Sequence, residues 1–212
     1  MVCSRLTGLA AVKQIFSVGH STHSYEQFLR LLQNAGVTAI ADVRTSPWSR
    51  YLPQFNQDTL RERLKDAGVA YVFLGKELGG RPAEQRLFCD GVADYEKMAC
   101  SKDFQRGLER VEEGANKFRL ALMCAEQEPL DCHRCLLVGR QLFSRGFGIS
   151  HILPDGAIED HTCTEDRLMA ATGHASHDLF ITPLERLNLA YRARGRKVAY
   201  AEPEAPKIAA AE

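Results

Sequence analysis

No charge sign prevails in this chain. Its 27 Lys and Arg residues match 27 Asp and Glu, and the calculated pI is near 7.0. That balance argues against a whole-surface field for nucleic acid or an anionic membrane and leaves only a local basic patch to consider. No apolar run approaches the roughly 20 residues needed to cross a bilayer, so no membrane partner is expected. The apolar stretch at the N-terminus is short and is broken at Lys13 and Gln14, which argues against a signal peptide. The glycines form neither a dinucleotide fingerprint nor a Gly-Lys-Ser/Thr phosphate loop, so no cofactor is expected. A second Cys-x-x-Cys pair, which would support a zinc clip, is also missing.

The chain does have seven cysteines: Cys3, Cys89, Cys100, Cys124, Cys132, Cys135 and Cys163. An odd number in a chain of this size does not read as a disulfide framework, and reduced thiols in a cytoplasmic protein are expected. Cys89 and Cys100 lie in helix-like surroundings and read as buried or half-buried residues without chemistry. The 212 residues, 45% apolar and 25% charged, suit one α/β domain. That domain is expected over residues 14–194, between an N-terminal extension (1–13) and a disordered tail (195–212) rich in Ala, Glu, Lys and Pro.

Hydrophobic patterning gives the fold class. Strands are expected at Gln14 to Val18, Thr38 to Val43, Val69 to Leu74, Phe118 to Met123 and Phe147 to Leu153. Ser24 and Gln27 form a capping-box pattern ahead of a helix whose buried stripe is Phe28, Leu31, Leu32 and Ala35. Asn56 is expected to cap the next helix, and Gly36, Gly68 and Gly146 stand at helix ends. Residues 82–114 read as mainly helical with breaks near Gly91 and Ser101. Short helices are expected near Thr164 to Ala171 and Pro183 to Arg192. The alternation of strand and helix predicts an open, mainly parallel sheet with helices on both faces.

If the strands are parallel, their C-terminal tips share one edge, where such sheets bind ligands. Gly19-His20-Ser21-Thr22 follows strand one and offers hydroxyls, an imidazole and free N–H groups to an anion. Asp42-Val43-Arg44 follows strand two and leads into a loop carrying Trp48, Ser49, Arg50, Tyr51 and Phe55. Arg44 and Arg50 suit a phosphate or carboxylate, and the aromatics suit a nucleobase. Asp42 is a candidate to orient Arg44 or His20, or to act as a base.

The richest stretch follows strand four, from Cys124 to Cys135. It admits three chemistries. Cys132, expected in the first helical turn, is a candidate thiol nucleophile whose pKa the helix dipole lowers. Cys124, Cys132, His133 and Cys135 are a candidate zinc set. The backbone N–H groups with Arg134 form a candidate anion cradle, with Glu126 as acid or base. His151 reads as a satisfied core or edge residue. His161, His174, His177 and Cys163 match no metal spacing.

Together, Gly19-His20-Ser21-Thr22, Asp42-Val43-Arg44-x-x-Pro47-x-Ser49-Arg50, Phe55-Asn56, Leu74-Gly75-x-x-Leu78-Gly79-Gly80, Cys124-Ala125-Glu126 with Pro129, and Cys132-His133-Arg134 resemble the domain of unknown function 488 family. The resemblance covers roughly Gln14 to Leu153 and implies an α/β fold. It supplies no mechanism, and Cys135 stands outside the shared pattern.

The leading expectation is an enzyme, a hydrolase or transferase, acting on a phosphate-bearing ligand such as a nucleotide or nucleic-acid component. Its catalytic candidates are Cys132, Glu126, Asp42, His20 and His133. Its ligand-binding candidates are Ser21, Thr22, Arg44, Ser49, Arg50, Asn56, Cys124 and Arg134, and no metal is assigned. The alternatives are a non-catalytic nucleic-acid-binding module, with Arg61 and Arg63 joining Arg44 and Arg50, and a Cys/His metal or thiol-redox protein.

Overall fold

The computed structural model describes residues 12–176 and 180–203. The first strand, β1 (Gln14–Gly19), leads through Ser24 into α1 (Tyr25–Asn34). The capping box is present as expected: the Ser24 hydroxyl accepts from the Gln27 N–H, and the Gln27 side chain accepts from the Ser24 N–H. The chain continues through β2 (Ala39–Asp42), α2 (Gln57–Asp66), β3 (Ala70–Phe73) and the single turn α3 (Gly75–Leu78). A short hairpin, β4 (Phe88–Cys89) and β5 (Val92–Ala93), precedes α4 (Tyr95–Ala99) and α5 (Lys102–Ala115). Then come β6 (Leu120–Cys124), a π-helical segment (Arg134–Gly139) and α6 (Arg140–Ser144). The described chain closes with β7 (Gly148–Ile152), β8 (Ile158–Asp160), α7 (His161–Ala171) and α8 (Pro183–Val198).

Six strands form one sheet in the order β3-β2-β6-β1-β7-β8. All its pairings are parallel except β7 with β8. The pleat sends alternate side chains to opposite faces. Phe16, Val18, Ala121 and Met123 therefore join Phe28, Leu32, Leu60 and Leu64 under α1 and α2. Ile15, Leu120, Leu122 and Cys124 join Phe104, Leu108 and Val111 under α5 on the other face. Each large apolar side chain among these contributes about 1.5–3 kcal/mol when fully buried. Helices on both faces of a mainly parallel sheet make this the expected α/β fold.

Several local expectations need correction. Residues 85–99 are not a continuous helix: they hold a short 3-10 turn, the hairpin and the brief α4. Cys89 and Cys100 are exposed rather than buried. Asn56 precedes α2 but makes no side-chain cap; its Oδ1 accepts from the Ser49 N–H at 2.7 Å and ties down the loop instead. The last helix does not stop at Arg192 but runs to Val198, past the expected start of the tail at Gly195. Beyond it, Ala201 bridges to Val92, and the Ala93 N–H donates to the Tyr200 carbonyl at 2.8 Å. Those backbone hydrogen bonds hold a segment whose composition alone suggests disorder. The remainder of the expected tail, His177 and most of the N-terminal extension lie outside the described residues.

Candidate functional site

The parallel register brings the ends of β1, β2 and β6 side by side at the centre of the sheet. Beyond the strands, the ladder continues as the His20 N–H donates to the Cys124 carbonyl (2.9 Å) and the Ser21 N–H to the Ala125 carbonyl (3.0 Å). Gly19 permits this closeness, because a Cβ there would lie 1.9 Å from the Glu126 carbonyl oxygen. Next to these tips opens a cavity of about 340 Å³, lined by Arg44, Thr45, Ser46, Trp48, Gly80, Arg81, Tyr95, Cys124, Ala125, Glu126, Asp131, His133, Val198 and Tyr200. Polar groups that follow β2 and β6 line this cavity, while His20, at the end of β1, contacts it only through Arg44.

On the β2 side, Asp42 is fully buried and its carboxylate is saturated. It accepts from the Arg44 N–H (3.0 Å), from Arg44 Nε and Nη2 (2.9 and 2.6 Å) and from the Tyr71 hydroxyl (2.7 Å). These contacts orient Arg44 and leave no lone pair directed at a ligand. Burial pulls the Arg44 guanidinium down, but the hydrogen bonds and charge of Asp42 outweigh it and the net shift is upward. Arg44 also donates to the Phe55 carbonyl at 2.9 Å. His20 stacks on Phe55 with ring centroids 4.3 Å apart. Its Nδ1 faces the Ser21 carbonyl at 2.8 Å and its Nε2 faces Arg44 Nη1 at 3.2 Å, so Nδ1–H donates and Nε2 accepts. Burial, then the Arg44 charge, lowers its pKa to about 4, and the ring is neutral.

The β6 side carries the reactive groups. Cys132 stands just ahead of the helical segment rather than inside its first turn, as expected above. Its carbonyl accepts from the Leu136 N–H (3.1 Å), and its sulfur accepts from the Arg134 N–H (3.4 Å). Glu126 Oε2 lies 2.9 Å from that sulfur. His133 donates through Nε2 to the Val43 carbonyl (2.9 Å), which leaves Nδ1 facing Cys124 Sγ and Cys132 Sγ at 3.8 and 3.9 Å. Gly80 packs its backbone on this imidazole, since a Cβ there would sit 2.8 Å from the ring.

Arg134 is fully buried. Its Nη atoms donate to the Glu126 and Gln127 carbonyls (2.6 and 3.1 Å), and its Nε has no partner. No carboxylate forms an ion pair with it among the described residues. Burial pulls its pKa down, and the Cys132 sulfur leads the groups that raise it above its ordinary value. Burial alone would push the Cys132 thiol up, but the Cys124 thiol, Arg134 and His133 overcome it and hold Cys132 well below an ordinary cysteine. Burial, then the hydrogen bond with Cys132, raises Cys124, and burial, then the Cys132 charge, raises Glu126. Burial lowers His133, yet the neighbouring sulfur more than compensates.

The structure therefore gathers Arg44, Cys124, Glu126 and His133 at the cavity, with Cys132 directly behind Glu126. Asp42, His20 and Arg134 sit in the wall as buried supports. Ser49 Oγ accepts from the Tyr51 and Leu52 N–H groups and, with Asn56, shapes the loop. Arg50 lies over the exposed Tyr51 ring, and Ser21 and Thr22 lie outside the cavity lining. Cys135, offered above as a fourth zinc ligand, turns away towards His151. Glu126 takes its place: the donor atoms of Cys124, Glu126, Cys132 and His133 all lie within 4.8 Å of one another, a set able to hold a metal ion.

Arg81, Tyr95 and Tyr200 also line the cavity and were not expected from the sequence. Arg81 directly follows Gly79-Gly80 at the end of α3, so its position after a glycine pair was a usable signal. Its guanidinium lies over the Tyr200 ring, 5.1 Å from the centroid, and makes no ion pair among the described residues. Tyr95 and Tyr200 arrive from distant segments and carried no local signal.

Neither a curated protein nor a solved structure matches this chain. No described helix is long and apolar enough to cross a membrane. One family description, "Domain of unknown function DUF488", matches residues 24–140, a span that holds the Arg44 loop, the Gly79-Gly80 turn and the whole of the Cys124 to Cys135 segment. The chain belongs to the DUF488 family.

Proposed function

We propose that the strand-tip cavity is an active site in which a Cys132 thiolate and a Glu126 carboxylic acid act together on a phosphate-bearing ligand. One observation carries this reading: a fully buried Arg134 with carbonyl partners but no carboxylate among the described residues. A buried cation needs a counter-charge, and the Cys132 sulfur comes first among the groups that raise the Arg134 guanidinium. Two anions 2.9 Å apart would repel, so the Cys132–Glu126 pair keeps one proton; this reading puts it on Glu126, whose carboxyl is shifted up while the Cys132 thiol is shifted down. The pair thus offers a nucleophile and an acid in contact, the two parts that covalent hydrolysis or group transfer needs. Cys132 is buried behind Glu126, so a substrate reaches the sulfur by displacing the carboxyl, which then faces the leaving group. Arg44 and Arg81 bind the anion, and Trp48 and Tyr200 provide stacking surfaces.

The test has two arms. The thiolate ultraviolet band of the native protein at about pH 6 should contain one sulfur that vanishes in Cys132→Ser. In a turnover screen over nucleotides and short oligonucleotides, Cys132→Ser should abolish activity and Glu126→Gln should lower it by about 10²-fold or more. Full turnover in either folded variant would refute the assignment.

The convergence of four donors favours a second reading, a zinc centre built by Cys124, Glu126, Cys132 and His133. The bond from His133 to the Val43 carbonyl fixes the tautomer that leaves Nδ1 free to ligate. Stoichiometric zinc in the purified protein, lost in Cys132→Ser, would establish this reading over the thiolate one.

A further inference from the structure

On the opposite side of the π-helical segment lies a second group of donors that the cavity does not use. Cys135 projects from that segment, His151 from β7, and His161 opens α7; each is no more than 1% exposed. Their ligating atoms lie within 4.8 Å of one another. His151 Nε2 stands 3.0 Å from His161 Nδ1 and 3.7 Å from Cys135 Sγ. We infer that Cys135, His151 and His161 form a buried binding site for a zinc-class transition metal ion, separate from the strand-tip cavity.

Three features support this site. The first is spacing. Metal–nitrogen bonds of ~2.0–2.1 Å and metal–sulfur bonds of ~2.3 Å in a tetrahedral arrangement place two nitrogens ~3.3 Å apart and a nitrogen and sulfur ~3.6 Å apart. The observed separations of 3.0 and 3.7 Å need only small adjustment. The second is orientation of the rings. Ser17 Oγ lies 2.6 Å from His151 Nδ1, and the Tyr191 hydroxyl lies 3.0 Å from His161 Nε2. Each imidazole is thus held at its far nitrogen by a hydroxyl, which fixes ligating histidines. Tyr191 is itself anchored to Glu165 at 2.8 Å.

The third feature is Cys135 itself. A chain of hydrogen bonds from Ser17 through both imidazoles to Tyr191 would satisfy the histidines without any metal, but it gives Cys135 no part. Among the described residues, the only side-chain partner of that sulfur is His151 Nε2, which His161 already engages. The local π-helix, an irregularity frequent at functional sites, is what sets Cys135 at this point. One thiolate with two imidazoles selects zinc-class ions over magnesium or calcium.

Cobalt(II), a spectroscopic stand-in for zinc, added to the metal-free full-length protein is the test. Wild type should bind it with a thiolate-to-cobalt absorption band. Cys135→Ser should lose that band, and His161→Gln should weaken binding at least tenfold. Because the strand-tip thiols could give a band of their own, the same comparison is made in a Cys124→Ser/Cys132→Ser background, where the band should persist and vanish on adding Cys135→Ser. The X-ray absorption spectrum of zinc-loaded wild type should show one sulfur and two imidazole nitrogens around the metal, whereas the strand-tip set would show two sulfurs and one imidazole, so the site can be tested even where a variant fails to fold. Absence of any band, a band that survives Cys135→Ser in the Cys124→Ser/Cys132→Ser background, or a zinc environment of two sulfurs and one imidazole would overturn the site.

Discussion

Acidifying the metal-free protein from about pH 6.5 to about pH 4 should remove most of its stability. Three buried imidazoles are responsible. Burial, then the charge of Arg44, lowers His20 to about 4. Burial lowers His161 to about 4, and burial with the neighbouring His161 sets His151 well below its ordinary value. Between the folded and unfolded pKa values the unfolded chain binds protons that the folded chain refuses. Stability is therefore complete above about pH 6.5 and falls as pH drops towards 4. A displacement from 6.5 to about 4 corresponds to roughly 3 kcal/mol per group. His20 and His161 together approach the lower end of the stability of a typical domain, about 5–15 kcal/mol, and His151 acts in the same direction. Urea unfolding at a series of pH values, with a chelator present, measures the slope. It should report the uptake of about two protons on unfolding near pH 5, from His20 and His161. A flat stability profile between pH 6.5 and 5 would contradict the expectation.

Gly19→Ala should be nearly as damaging. The added methyl would lie 1.9 Å from the Glu126 carbonyl oxygen and 2.9 Å from its carbon, against backbone on the neighbouring strand tip. Backbone cannot turn aside as a side chain can, so β1 and β6 must part at their ends. A loss of at least ~3 kcal/mol is expected. Gly68→Ala is the matched control. Gly68 has φ +74° with nothing within 4 Å of the added methyl, so only the backbone penalty of ~1 kcal/mol applies. Urea midpoints of the two variants should differ clearly. A Gly19→Ala protein within ~1 kcal/mol of wild type would show that the strand tips are not clamped together.

The sequence revealed the frame of this site better than its contents. The five expected parallel strands appear within two residues of their expected bounds, because uninterrupted apolar runs such as Leu120–Cys124 have no stable home but a covered sheet. β8 was missed because Ile158–Asp160 has three residues and one apolar side chain, and its pairing comes from its neighbour β7. The hairpin at Phe88–Ala93 was missed because two-residue strands show no period. Asp42 and Arg134 were legible as charged residues at strand tips, yet their roles were not. Whether a charge faces a ligand or a carbonyl depends on contacts such as those with Tyr71 and Gln127, which no local pattern encodes. Tyr200 shows the same limit, since its place depends on pairing with Val92 and Ala93, more than a hundred residues earlier.

Trp48 is the only tryptophan of the chain; it lines the mouth of the cavity and is 69% exposed. An indole so exposed should emit as a solvated one already in the native state, which would make it a poor indicator of unfolding. For the same reason it is an uncluttered optical gauge of occupancy: anything that settles over the cavity mouth changes the surroundings of one fluorophore, against no background from any other tryptophan.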